Sequence, residues 1–76
     1  MGANDWERAV LGAVLMTPAH WHQIAVLRAD DFSLDSHRKI FGRMRGLSES
    51  SRPIDMITLV EELERHKELH SIGDLR

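Results

Sequence analysis

Five histidines in a chain of 76 residues are the first candidates for chemistry, because imidazole both binds metals and moves protons near neutral pH. His66 and His70 are four apart, a spacing that puts two imidazoles on one helical face. His20 and His22 are two apart and would diverge on a helix. A zinc centre needs three or four ligands with supporting hydrogen bonds, and HExxH is absent because Lys67-Glu68 follows His66. These four are read as surface histidines. His37 differs, falling at the centre of a stripe formed by Ile40, Phe41, Met44 and Leu47. With no nucleophile or carboxylate defined beside it, a general-base role is weak; the expectation is a partly buried imidazole bonded to a loop carbonyl or to Asp35. Glu61, Glu62 and Glu64 point to different faces of one helix, unlike a facing catalytic pair.

Phosphate chemistry has no scaffold. GxGxxG is absent, as is GxxxxGK followed by Ser or Thr, so no Gly-rich turn cradles a nucleotide. Without cysteine there can be no disulfide framework, Cys-based zinc site or thiol nucleophile. No catalytic, cofactor-binding or metal-ligating residue is assigned.

Charge is nearly balanced, ten Lys+Arg against twelve Asp+Glu for a formal −2. That balance argues against a domain built mainly to grip phosphate backbones. One stretch is locally basic: Arg38, Lys39, Arg43 and Arg45 form a candidate basic surface. On a helical wheel they split to opposite sides of the apolar stripe, which weakens a DNA-binding reading. Glu61 and Arg65 are expected to form a weak i,i+4 pair.

The elements that must position these residues read as helical almost throughout, with no sustained period-two alternation. The first helix is predicted from Asn4 or Asp5 to about Met16. Its apolar residues cover nearly the whole circumference, leaving Arg8 and Gly12 as the polar or small strip. A helix that apolar should touch neighbours on more than one side, and Gly12 suggests close approach of another backbone. Thr17-Pro18 opens a second helix to Leu27. Asp30-Asp31-Phe32 reads as a turn that drops an aromatic anchor inward. A third helix is predicted from Ser36 to Leu47, capped by Asp35 or Ser36, and a fourth from Met56 to about Lys67, capped by Asp55. The fold expected is all-α, a small orthogonal bundle of about four main helices. Its predicted core is Trp6, Val10, Val14, Ile24, Phe32, Ile40, Phe41, Met44, Ile54, Leu59, Val60 and Leu63, with Met56 also inward.

With 42% apolar and 29% charged residues, one domain over residues 1–76 is expected, with 1–4 disordered. Such a chain buries only about 60% of its unfolded surface. No apolar run approaches the roughly 18 residues of a membrane span, and Asp5, Glu7 and Arg8 interrupt any signal peptide. A cytoplasmic location is expected.

Read as a string, Trp6-Glu7-Arg8-Ala9-Val10-Leu11-Gly12-Ala13-Val14-Leu15 resembles the opening, E-x-A-V-L-G-x-x-L, of the N-terminal domain of DnaB-type replicative DNA helicases. Asp30-Asp31-Phe32 is similar to that family's D-F turn, and His37-Arg38-Lys39-Ile40-Phe41 to its H-R-x-I-F helix. Pro53-Ile54-Asp55-Met56-Ile57-Thr58-Leu59 is similar to its P-I/V-D-x-x-T-V/L segment, Glu61-Glu62-Leu63 to the E-x-L that follows, and Ile72-Gly73 to the start of the next turn. The family commonly has Gly-Gly where this chain has Gly73-Asp74, and then a helical hairpin that is missing here, so the chain looks like a fragment.

The resemblance implies a non-catalytic collar domain that packs between subunits of a ring hexamer and docks the primase C-terminal domain, and possibly a helicase loader. It also implies that ATP and Mg belong to a RecA-like domain elsewhere in the parent helicase. Apolar residues left over after the core closes, namely Leu15, Met16, Val26, Leu69 and Ile72, become candidate subunit or partner contacts. The fragment alone is expected to be a monomer or weak dimer, with Leu69, Ile72 and Leu75 exposed or used in crystal contacts. Two other readings stay open: a small helical DNA-binding module with the third helix as reader, or the helicase-binding domain of a primase.

Overall fold

In the computed structural model, which describes residues 5–69, local sequence signals account for only part of the helix boundaries. The order is α1 (Asp5–Met16), a 3-10 turn (Pro18–His20), α2 (Trp21–Ile24), a 3-10 turn (Ala29–Asp31), α3 (Asp35–Glu49) and α4 (Met56–Arg65). Among the described residues there is no β-strand. The expected disorder of residues 1–4, and the readings placed on His70, Ile72, Gly73 and Leu75, lie outside the described residues.

The start of α4 shows how completely a local signal can act. Asp55 Oδ1 accepts the Thr58 backbone N–H at 2.8 Å, and Thr58 Oγ1 accepts the Asp55 N–H at 3.0 Å. Thr58 Oγ1 also donates to the Pro53 carbonyl at 2.8 Å. Two orphan donors at the helix start are thereby satisfied reciprocally, which gives the P-I-D-M-I-T string its spacing. Both long helices preceding a loop end alike. Beyond α3, Ser51 sits at φ 58 while Arg52 N–H bonds to Leu47 O and Ser51 N–H to Ser48 O. Beyond α4, Lys67 sits at φ 58 with Glu68 N–H on Leu63 O and Lys67 N–H on Glu64 O. These are left-handed closures normally served by glycine. They stop α4 at Arg65, short of the Lys67 expected.

The second helix is shorter than predicted. Pro18 begins a 3-10 turn, and only Trp21–Ile24 are α-helical. Its work is to place Trp21 in the core.

That core contains Leu11, Val14, Trp21, Phe32, Ile40, Phe41, Met44, Leu47, Ile54, Leu59 and Leu63. Leu11, Trp21 and Leu47 enter in place of some expected members. Val10, Ile24 and Val60 are only half-buried, and Met56 is exposed at the edge of α4. Trp6 is 43% exposed: it lies flat on Phe32, ring centroids 5.4 Å apart, so one face is covered and the other open. From Phe32 the rings continue to Phe41 at 4.9 Å and from Phe41 to Trp21 at 5.2 Å. Both tryptophans and both phenylalanines thus form one run, with offset geometry favoured by the ring quadrupoles.

Candidate functional site

One buried, hydrogen-bonded carboxylate joins three stretches that look unrelated in sequence. Glu7 belongs to the α1 face that also buries Leu11 and Val14, four and seven residues on, and is 1% exposed. Its Oε2 accepts the Ser33 N–H at 2.9 Å and the Ser33 hydroxyl at 2.7 Å, and Oε1 lies 2.7 Å from His37 Nδ1. An ionised carboxylate can only accept, so His37 carries its proton on Nδ1 and donates. Burial pushes the Glu7 carboxyl up, but hydrogen bonds from the Ser33 N–H, the Ser33 hydroxyl, His37 and the Leu34 N–H outweigh it. The result is a fall from 4.5 to about 2.

The carboxylate also faces the positive end of α3, where neither Asp35 nor Ser36 is the expected cap: both lie inside the helix, and the N-cap residue is Leu34, which has no side-chain cap. Nearby, Arg38 Nε donates to Phe32 O at 2.7 Å. Glu7, Phe32, His37 and Arg38, drawn from three of the sequence strings above, therefore meet at one junction of α1, the Phe32 turn and α3. His37 is buried as expected, but its partner is Glu7 rather than a loop carbonyl or Asp35. The overlooked signal was the 7–11–14 spacing, which puts Glu7 on the buried face.

The candidate basic surface is occupied from within. Lys39 pairs with Asp35 at 3.0 Å and Arg43 with Glu68 at 2.8 Å. Arg45 Nη2 donates to Ala25 O at 3.0 Å and Leu27 O at 2.7 Å, while its guanidinium lies 5.6 Å from the Trp21 ring centre and 5.1 Å from that of Phe41. With Arg38 on Phe32 O, three of the four cations tie α3 to other parts of the fold, while Lys39 pairs with the exposed Asp35 of the same helix; the four do not form a shared face for phosphate. Among the described residues no group of three or more His, Asp or Glu could hold a metal ion, and no helix is long and apolar enough to cross a membrane.

Glu62 makes a second buried carboxylate centre. Arg52 Nη1 lies 2.7 Å from Oε1 and Arg65 Nη2 2.9 Å from it, with His66 Nε2 at 3.5 Å from Oε2. The Arg52 hydrogen bond, ahead of burial and Arg65, holds the carboxyl below its ordinary value. The expected Glu61–Arg65 pair is absent, because Arg65 turns to Glu62 instead.

The exposed surface includes large apolar side chains. Among the expected contacts, Met16 is 87% and Val26 83% exposed. Leu15 and Leu69 are partly buried and pack against the core, so Leu69 is not the exposed side chain expected; Ile72 lies outside the described residues. Arg45 grips the carbonyls on both sides of Val26, holding that side chain outward on a fixed turn. Directly opposite the buried face of α1 lie Ala9, Gly12 and Met16. Outside its own helix backbone, nothing comes within 4 Å of where a Cβ on Gly12 would stand. The close approach suggested by that glycine is therefore not made within the described chain.

A family model described as DnaB-like helicase N terminal domain matches residues 3–76. The replicative DNA helicase DnaB of Pasteurella multocida (strain Pm70) is 44% identical over 68 residues, covering 88% of this chain and 15% of that protein. The replicative DNA helicase DnaB of Buchnera aphidicola subsp. Schizaphis graminum is 40% identical over 68 residues, with the same 88% and 15% coverage. The Rhodothermus marinus protein of that name is 38% identical over 73 residues, covering 95% of this chain and 8% of its own length. The chain thus spans a small part of the relatives it matches.

Proposed function

Because the chain belongs to the family of DnaB-like helicase N-terminal domains, matched over residues 3–76, we propose that it serves as the non-catalytic N-terminal collar of a replicative DNA helicase. In this reading it mediates subunit assembly into a ring and docks a primase C-terminal domain or a helicase loader during DNA replication. ATP hydrolysis and translocation are assigned to the part of the parent protein beyond the matched region.

One observation carries the assembly reading: the apolar residues of α1 run nearly all round it, and its own fold buries Leu11 and Val14 fully and covers Trp6, Val10 and Leu15 in part, yet leaves Ala9 and Met16 exposed. A helix apolar on both sides is at rest when both sides are packed. The outer Ala9, Gly12 and Met16 row, too smooth to be filled from within, suits a second helix at close range. Direct DNA binding is not part of the proposal, since the cations of α3 are bound internally and the net charge is −2.

Sedimentation of the chain across a concentration series, with Met16→Glu as comparison, tests it. Weak self-association lost in Met16→Glu is the expected result. Association indifferent to that charge would remove α1 from the interface, and a measurable ATPase rate in the purified chain would remove the non-catalytic assignment.

A further inference from the structure

Methionine supplies all the sulfur in this chain, four residues of it with no cysteine. With no thiol to react first, the thioethers are the groups a mild oxidant attacks. The three described methionines differ sharply in access. Met44 is 0% exposed within the core, Met56 is 42% exposed at the first residue of α4, and Met16 is 87% exposed at the last residue of α1. Thioether oxidation follows access, so the structure ranks them Met16, Met56, Met44.

Met16 alone of the three also lies on the outer row of α1. It is the largest apolar side chain there, beside Ala9 and Gly12, and it is not among the side chains packed on the core. Attack by a peroxide uses a sulfur lone pair: an S–O bond forms, the O–O bond breaks, and the other peroxide oxygen leaves as water. Sulfur is oxidised to the sulfoxide as the peroxide is reduced. The product is a polar, chiral group in place of a flexible apolar one. Ala9 and Gly12 have no side-chain donor to offer it, so covering the sulfoxide oxygen with a second copy of that row would bury an unsatisfied acceptor.

We propose that Met16 is a reversible oxidation site, at which a peroxide switches off self-association through the outer face of α1. The proposal rests on the assembly reading above. Oxidation and association compete for one sulfur: the assembled chain covers it, and the sulfoxide form does not assemble. Methionine sulfoxide reductases, one for each sulfoxide epimer, return the thioether and with it the contact. The fold itself is untouched, since this side chain lies outside the packed core.

The test treats the chain with dilute hydrogen peroxide and follows each methionine by mass spectrometry of its peptides, alongside sedimentation and thermal melts. Met16 should convert about twofold faster than Met56 and at least roughly tenfold faster than Met44, whose oxidation waits on unfolding. Chain converted at Met16 should associate roughly tenfold more weakly with an unchanged Tm, and the two reductases together should restore association. At concentrations where sedimentation shows association, oxidation of Met16 should slow while that of Met56 does not. Met56→Leu should lose association on treatment as the parent does, whereas Met16→Leu should associate equally before and after treatment. Met16 lagging behind Met56, association undiminished by conversion of Met16, or a fall in Tm on conversion would each overturn the proposal and leave the assembly reading in place. An untreated chain that does not associate would remove that reading, and this proposal with it.

Discussion

Gly12 offers a pair of perturbations that separate the stability of the chain from its assembly. In the interior of α1 glycine costs about 0.8–1.0 kcal/mol relative to alanine, through backbone entropy and exposed backbone. Outside its own helix backbone, a Cβ added there meets no described atom within 4 Å, so no contact among the described residues offsets the gain. Gly12→Ala should stabilise the isolated chain by about 1 kcal/mol, which for a domain of this size raises Tm by about 4–8 °C. Circular dichroism melts in dilute solution read that change. Gly12→Leu should be similarly stable, since leucine is nearly as good a helix former as alanine. Its side chain, however, would hold a neighbouring helix at the ordinary ~8–10 Å axial distance rather than allow closer contact. Sedimentation should show Gly12→Ala associating nearly as the parent chain does and Gly12→Leu losing association. A fall in Tm for Gly12→Ala would mean that something in the chain already fills the site. A Gly12→Leu chain that associates normally would refute the role given to the outer face of α1.

Three further outcomes follow from the packing. Phe41 is fully buried between Phe32 and Trp21, so Phe41→Ala should cost about 3–5 kcal/mol, much of the total stability of so small a domain; urea unfolding at neutral pH measures it, and an unchanged midpoint would contradict the core. Because the folded Glu7 carboxyl is held at about 2 against an ordinary 4.5, its contribution is present above pH 4.5 and lost as pH falls toward 2. Glu7→Gln should therefore be less stable than the parent at pH 7, with the difference shrinking through that window in acid melts. Ser51 holds a left-handed φ of 58, a conformation costing a non-glycine residue about 1–2 kcal/mol. Ser51→Gly should accordingly gain about 0.5–1 kcal/mol once glycine's own entropy is set against it, read as a raised thermal midpoint.

The helices and their local stops are legible in the sequence because the interactions that make them span a turn or two. The Asp55–Thr58 cap needs three residues of separation, and the stripe Ile40, Phe41, Met44 and Leu47 announces its own buried face. The residues resembling the helicase domain's strings could likewise be recognised in order. What tertiary structure decided is where those strings meet. Glu7 shares the face of Leu11 and Val14 by spacing, but only the crossing of α1 over the start of α3 brings it Ser33 and His37, 26 and 30 residues away.

The basic run of α3 shows the same limit. Its cations look like a surface until the Ala25 and Leu27 carbonyls, Glu68 and Phe32 O arrive from other elements to receive them. On α4, the choice of Arg65 between Glu61 and Glu62 turns on which carboxylate is buried, and burial is set by the partner that packs against the helix. Periodicity states which residues can share a face. Which charges are compensated, and which apolar face is left over for another chain, depends on groups brought together from far along the chain, and the residues themselves carry no local mark of that.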